Sequence, residues 1–288
     1  MANNALVTGG LGFIGSHVVD LLIDKGYAVT VLDDLSTGSM SNANPKATLV
    51  IGSITDHRIW ERLTAFDSVF HLASLARIQP SIRNPLPAHE VNLTGTLRVL
   101  EYCRQHKAKI IFSSSSSLYE GVDIPTNEDG KQLWKSPYSL QKAACEAYIK
   151  LYGELYGLDY AILRYFNVFG ERQILTGDYA AVVGILLNQK KHGQPMTITH
   201  DGEQRRDFTY VKDIALANYM ALNWGGVTNI GTGVNYSINQ LADAIGGERT
   251  YIGDRQGEAR HTQADNSLAR SLGWEPTTSI IEWIEGQL

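Results

Sequence analysis

The chain has 288 residues, 43% of them apolar and 19% charged, an ordinary globular balance that excludes a disordered, collagenous or coiled-coil protein. The length suits one large domain or two small ones. Lys plus Arg number 25 against 30 Asp plus Glu, and a net charge of −5 gives no electrostatic footprint for nucleic acid. The longest apolar run, Tyr179 to Leu187, is far short of a membrane span. The N-terminus runs straight into a strand-like segment without a signal-peptide core. Two cysteines, Cys103 and Cys145, are too few for a disulfide framework or a structural zinc site. Both fall in helical patterns and are expected as buried thiols. The expectation is a cytoplasmic chain with no metal and no nucleic-acid or membrane partner.

Strand-like runs are Ala5–Thr8, Ala28–Leu32, Ser68–Leu72, Lys109–Phe112 and Tyr160–Leu163. Helical patterns separate them. Ile14, Val18, Leu21 and Leu22 mark the first, Val91, Leu97, Leu100 and Cys103 a second, and Ala144 to Tyr156 another. Alternation of this kind predicts a parallel, doubly wound α/β sheet. Beyond about residue 165 turn residues are denser, as in His200-Asp-Gly202, Asn229-Ile-Gly-Thr-Gly233 and Gly246-Gly247, which predicts a smaller α/β lobe. The expected division is 1–165 and 166–288, packed together because no Pro- or Ser-rich linker intervenes, with the second lobe interleaved with the first. The serine run Ser113 to Ser117 follows a strand, where open α/β sheets place their ligands.

Gly9, Gly12 and Gly15 form a G-x-x-G-x-x-G turn between the first strand and the first helix. Such a turn lets the backbone approach a pyrophosphate, which the helix N-terminus then favours. Asp33 ends the second strand, where its carboxylate can take the two ribose hydroxyls of NAD and repel the extra phosphate of NADP. No Arg or Lys occurs in Asp34-Leu-Ser-Thr-Gly38 to host that phosphate.

Tyr138 and Lys142, four residues apart behind Ser136-Pro137, share one helix face. A free tyrosine, with a pKa of about 10, is too weak a base near neutrality. A nearby ammonium favours the phenolate, as does the positive charge of an oxidised nicotinamide. A hydroxyl from the serine run would complete a proton-transfer site.

These segments, with Phe70-His-Leu-Ala73, Asn92-Leu-Thr-Gly-Thr96, Leu163-Arg-Tyr-Phe-Asn-Val-Phe-Gly170 and Arg206-Asp-Phe-Thr-Tyr-Val-Lys-Asp213, resemble the extended short-chain dehydrogenase/reductase family. The resemblance covers nearly the whole chain. It is greatest to the nucleotide-sugar 4-epimerases, the branch acting on UDP-glucose and UDP-N-acetylglucosamine. It implies a Rossmann-type NAD domain, a C-terminal substrate-binding lobe and a homodimer pairing through segments near Ala88–Gln105 and Pro137–Tyr156. It implies that NAD is held by Gly9, Gly12, Phe13, Ile14, Gly15, Asp33, Asp34, Leu35, Ser36, Thr37, Gly38, Ser53, Ile54, Leu72, Ala73, Ser74, Leu75, Asn92, Ser113, Tyr138, Lys142 and Phe166. Ser115, Tyr138 and Lys142 align with the catalytic groups. Asn167, Arg206 and Arg255 align with groups that hold the substrate diphosphate, and Glu258 with an acid on the substrate ribose. The implied reaction moves the C4 hydrogen to NAD and back to the other face of a 4-keto sugar, with no net redox change.

Sugar dehydratases of the family carry Asp-Glu or a lone Glu, and the related decarboxylases a Glu, where this chain has Ser116 and Ser117, so both reactions are disfavoured. Ser117 aligns with a hydroxyl residue that touches the sugar. Thr262 aligns with a pocket gate, and its small side chain implies room for an N-acetyl group. Two departures bear on affinity. Ser53 stands where Asp usually meets the adenine amino group, implying a weaker hold on NAD. Thr199 replaces an aromatic beside the nucleobase, and His200 a glycine. UDP is favoured, while dTDP, GDP and CDP sugars stay open. Two other readings remain at this point: a reductase or 3,5-type epimerase of 4-keto sugars, and a non-catalytic NAD-binding regulator.

Overall fold

The computed structural model describes residues 3–119, 121–255, 257 and 259–288. Its strands in chain order are β1 (Asn4–Thr8), β2 (Ala28–Asp33), β3 (Thr48–Ile51), β4 (Ser68–His71), β5 (Lys109–Ser115), β6 (Tyr160–Tyr165), β7 (Val168–Phe169), β8 (Met196–Thr199), β9 (Arg205–Asp207), β10 (Thr209–Tyr210), β11 (Gly226–Ile230), β12 (Asn235–Ser237) and β13 (Arg249–Ile252). Seven of them form the main sheet, in the order β11-β6-β5-β4-β1-β2-β3, and every pairing in it is parallel. Alternate residues feed two cores, as a parallel sheet covered on both faces requires. Val7, Phe70, Ile111 and Leu163 pack on one side with the Phe13–Asp24 helix and Trp274. Leu6, Val69, Ile110 and Ile162 pack on the other with Leu100, Cys145 and Ile149. The doubly wound Rossmann-type sheet expected from the sequence is present.

Two sheet strands were not legible in the sequence. β3 is a four-residue edge strand with no buried residue. β11 comes from the turn-rich late segment and pairs with β6 from Gly226↔Ala161 to Ile230↔Tyr165. The remaining strands pair two by two, β7 with β10, β9 with β12 and β8 with β13. A third core gathers Phe169, Leu186, Ile198, Leu241 and Trp283 around the later strands. Both cysteines are free and buried. Among the described residues no helix is long and apolar enough to cross a membrane.

The helix Pro137–Tyr156 opens on a capping box. Ser136 Oγ accepts from Ser139 N at 3.2 Å, and Ser139 Oγ accepts from Ser136 N at 3.1 Å. Pro137 fits the first turn, where its missing N–H costs nothing. This cap fixes where the helix starts, and therefore where Tyr138 points.

Candidate active site

The C-terminal ends of β1, β2, β4, β5 and β6 open into a cleft of about 620 Å³. At its floor Gly9 adopts φ +72°, and a Cβ there would lie 2.7 Å from Ala73 N. A Cβ on Gly15 would fall 2.1 Å from Gly9 O. Only glycine allows this turn to close against the start of the Phe13–Asp24 helix. Gly12 caps that helix with no side-chain hydrogen bond. First-turn N–H groups therefore face the cleft, a setting that suits a pyrophosphate. Asp33 is buried beside them, and burial pushes its carboxyl up from the ordinary range. Leu11 N at 2.9 Å and Leu35 N at 2.8 Å donate to its two oxygens and oppose that shift. Each oxygen keeps lone-pair capacity for a hydroxyl donor. The residues present thus fit a dinucleotide.

The serine run does not simply follow a strand, since its first three residues belong to it. Ser113, Ser114 and Ser115 are the end of β5, paired with Leu163, Arg164 and Tyr165 of β6. Ser113 and Ser115 line the cleft with Tyr138 and Lys142. Burial pushes the Tyr138 phenol up, while a hydrogen bond with Ser115 and the charge of Arg77 oppose that rise. Lys142 donates from Nζ to Ser113 O at 2.7 Å and lies 4.7 Å from the centre of the Phe112 ring. Burial lowers its pKa to about 8. Ser117 Oγ is a buried lining atom with no hydrogen-bond partner among the described residues.

The opposite wall comes from the later part of the chain. Asn167, Thr199, Arg206, Arg255 and Thr262 all line the same cleft. Asn167 Nδ2 donates to Asp207 O at 2.9 Å and to Thr262 Oγ1 at 3.3 Å. Arg206 Nη1 donates to Arg205 O at 3.0 Å. Thr199 Oγ1 accepts from Gln204 Nε2 at 2.8 Å. His200 is an exposed turn residue at φ +53°, bonded to Asp201, and it does not line the cleft. The positive φ explains the glycine usual at that position.

Most of the expected cofactor residues meet at the cleft: Gly9, Gly12, Phe13, Ile14, Gly15, Asp33, Asp34, Ser36, Thr37, Ile54 and Leu72 through Leu75. Five others stand behind its lining. Leu35 packs on the first core. Gly38 closes on Asp33, whose Oδ1 would lie 2.7 Å from a Cβ. Ser53 Oγ bonds Thr55 Oγ1 at 2.9 Å. Asn92 is buried and accepts from Ser74 Oγ and Leu75 N, bracing that segment. Phe166 is fully buried against Tyr119. Glu258 lies outside the described residues. Arg77, Gln79, Gln173 and Tyr179 also line the cleft, and no spacing or periodicity in the sequence singled them out.

A tyrosine and a lysine one helical turn apart, beside a cradle cut for a pyrophosphate, belong to an enzyme that moves a proton and works with a bound dinucleotide. Residues 5–231 match the model of the NAD dependent epimerase/dehydratase family. The chain belongs to that family. It is 43% identical to a putative UDP-glucose 4-epimerase of Methanocaldococcus jannaschii, over 97% of this chain and 95% of that protein. A UDP-glucose 4-epimerase of Thermotoga maritima, solved with UDP-glucose, superposes with a TM-score of 0.94 at 40% identity, covering 98% of this chain and 96% of that one. A UDP-N-acetylglucosamine 4-epimerase of Methanobrevibacter ruminantium, solved with UDP-N-acetylmuramic acid, gives 0.93 at 39% identity, covering 100% and 97%.

Proposed function

We propose that the chain is a nucleotide-sugar 4-epimerase acting on UDP-sugars with NAD held throughout. One observation carries this reading: Ser115, Tyr138 and Lys142 converge beside the dinucleotide cradle, while Ser116 and Ser117 offer no carboxylate for elimination. In this reading residues 1–165 hold NAD and residues 166–288 hold the nucleotide sugar. The glycine turn takes the pyrophosphate and Asp33 the adenosine ribose. Arg206 and Arg255 take the substrate diphosphate, as paired guanidinium groups do well.

When bound, NAD supplies a reversible acceptor for the hydrogen at sugar C4. Tyr138 takes the proton from O4 and later returns it. Ser115 holds the same oxygen and stabilises the phenolate by hydrogen bonding. Lys142, fixed on Ser113 O, is placed on the same cleft wall as Tyr138 and would present its charge to the cofactor ribose. The charge of Arg77 acts on that phenol and favours its ionised form.

The pairing and location follow the same reading. Leu140, Tyr148, Leu151 and Leu155 form an exposed apolar stripe on the Pro137–Tyr156 helix, which supports a homodimer through that face. Two buried free thiols agree with a cytoplasmic setting.

The test is proton NMR of the anomeric region. The protein is incubated with UDP-glucose or UDP-N-acetylglucosamine and NAD, with no other reagent. Matching galacto signals are expected. Unchanged spectra with NAD demonstrably bound would reject epimerisation of these sugars and direct the search to other bases at Thr199.

A further inference from the structure

The sheet order sets where the far end of a dinucleotide must lie. β1 leads into the glycine turn, β2 ends in Asp33, and β3 stands beyond β2 at the sheet edge. A pyrophosphate over the turn and a ribose on Asp33 therefore send the base toward the segment that follows β3. Gly52, Ile54 and Val91 line the cleft there. None of the three has a side-chain donor or acceptor.

Ile54 is the fixed point of this slot. Its side chain is 3% exposed and belongs to the core that holds Leu100 and Ile149, against which Val91 also packs. A Cβ on Gly95 would lie 2.5 Å from Ile54 Cδ1, so the bare backbone of Gly95 is what seats the side chain. Gly95 ends the π-helical stretch Glu90–Gly95, a wide turn of the kind that re-aims residues at ligand sites. Ile54 O accepts from Trp60 Nε1 at 2.9 Å, which ties down the backbone as well. The polar side chain next to it is turned inward on its own segment. Ser53 Oγ shares a hydrogen bond with Thr55 Oγ1 at 2.9 Å, accepts from Thr55 N at 3.3 Å, and does not line the cleft.

We propose that this slot grips the purine of the cofactor by apolar packing on Ile54 and Val91 and leaves its 6-amino group unread, so that a dinucleotide carrying hypoxanthine binds as well as NAD. The proposal rests on the reading above only in placing a dinucleotide at the glycine turn, and not on the sugar. Adenine presents an amino donor at position 6. Hypoxanthine carries a carbonyl oxygen there and a proton on the adjacent ring nitrogen. A site built to hydrogen-bond one edge rejects the other strongly, because its own polar groups are left unpaired. A slot of Gly52, Ile54 and Val91 has no such side-chain group to strand. Both rings bury the same apolar area in it, and that area sets the affinity. The pyrophosphate and ribose contacts are common to the two dinucleotides.

The experiment is a competition on the purified enzyme. It is held in an equimolar excess of NAD and nicotinamide hypoxanthine dinucleotide until the bound ratio stops changing. The protein is then denatured, and the released dinucleotides are separated by chromatography and counted. The wild type is expected to carry the two within about fivefold of each other. Ser53→Ala should leave that ratio as it is. Ser53→Asp should move it by about 10-fold or more toward NAD, since a carboxylate accepts from the amino group and repels a carbonyl oxygen. A wild-type ratio beyond about fivefold in either direction would overturn the proposal, because the base edge is then read. So would a shift in Ser53→Ala, which would mean that the hydroxyl turns to the base, or an unmoved ratio in Ser53→Asp. An enzyme that carries both dinucleotides alike and epimerises no sugar would retain the proposal and reject the activity.

Discussion

Glu146 and Arg164 form a doubly hydrogen-bonded ion pair almost sealed from water. Their side chains are 3% and 1% exposed. Arg164 Nε donates to Glu146 Oε1 at 2.9 Å and Nη2 to Oε2 at 2.6 Å. Ser114 Oγ donates to Glu146 Oε1, and Arg164 Nη1 donates to Tyr119 OH. Glu146 lies one helical turn beyond Lys142, so the pair ties the catalytic helix to the strand ends that carry Ser113 and Ser115.

Removing one partner leaves a buried charge uncompensated. Glu146→Gln should destabilise the protein by about 3–5 kcal/mol in urea unfolding. The double variant Glu146→Leu with Arg164→Met should lose less than the single, because no charge is then stranded. Equal or greater loss in the double variant would contradict this account.

His71 predicts an acid-side dependence of stability. Its ring is buried between Thr8 Oγ1 at 2.7 Å and Thr96 Oγ1 at 2.9 Å. Thr96 donates onward to Asn92 O, so Nε2 of His71 must carry the proton and Nδ1 accept one. Burial lowers the pKa to about 3 from the ordinary 6.5. The unfolded chain therefore binds the extra proton first as pH falls, and native stability declines below about pH 6.5. Between about pH 6.5 and pH 5 this group alone costs about 2 kcal/mol. His71→Gln should flatten that part of the stability-versus-pH curve measured by urea unfolding.

Tyr138→Phe removes the proton acceptor and little volume. Turnover of the epimerised sugar should fall by about 10²- to 10⁴-fold. Bound NAD, measured by absorbance after denaturation, should be retained. Loss of NAD together with activity would mean that Tyr138 chiefly holds the cofactor.

Thr262 is buried in the cleft wall, where its Oγ1 accepts from Asn167 Nδ2. A phenol ring there would project into the sugar space. Thr262→Tyr should lower kcat/KM for UDP-N-acetylglucosamine by about 10-fold or more relative to UDP-glucose, since overpacking a formed pocket costs about 1–3 kcal/mol. An unchanged ratio would remove Thr262 as the gate.

The legible and illegible parts of this chain divide for physical reasons. β1, β2, β4, β5 and β6 are buried on both faces, so each reads as an apolar run between turns. β3 has no buried residue and carries no such signal. The polar end of β5 extends beyond the expected strand Lys109–Phe112, because the serines there line the cleft and carry no apolar signal. Gly9, Asp33, Tyr138 and Lys142 stand in local patterns that announce them. Asn92 and Phe166 share the same motifs, but motif membership did not separate a residue that lines the cleft from one that braces it. Arg77 is set between a strand and a short helix, where nothing in the sequence marks a cleft-facing arginine.

The position of β11 bears on how the chain can be made. Synthesis runs from the N-terminus, so six strands of the main sheet emerge before the seventh exists. Until residue 230 is available, the flank of β6 offers unpaired backbone groups to any neighbouring strand. A nascent chain halted between Tyr165 and Gly226 should be the species most prone to cross-pairing on polysomes, and one released after Ile230 should be free of that hazard.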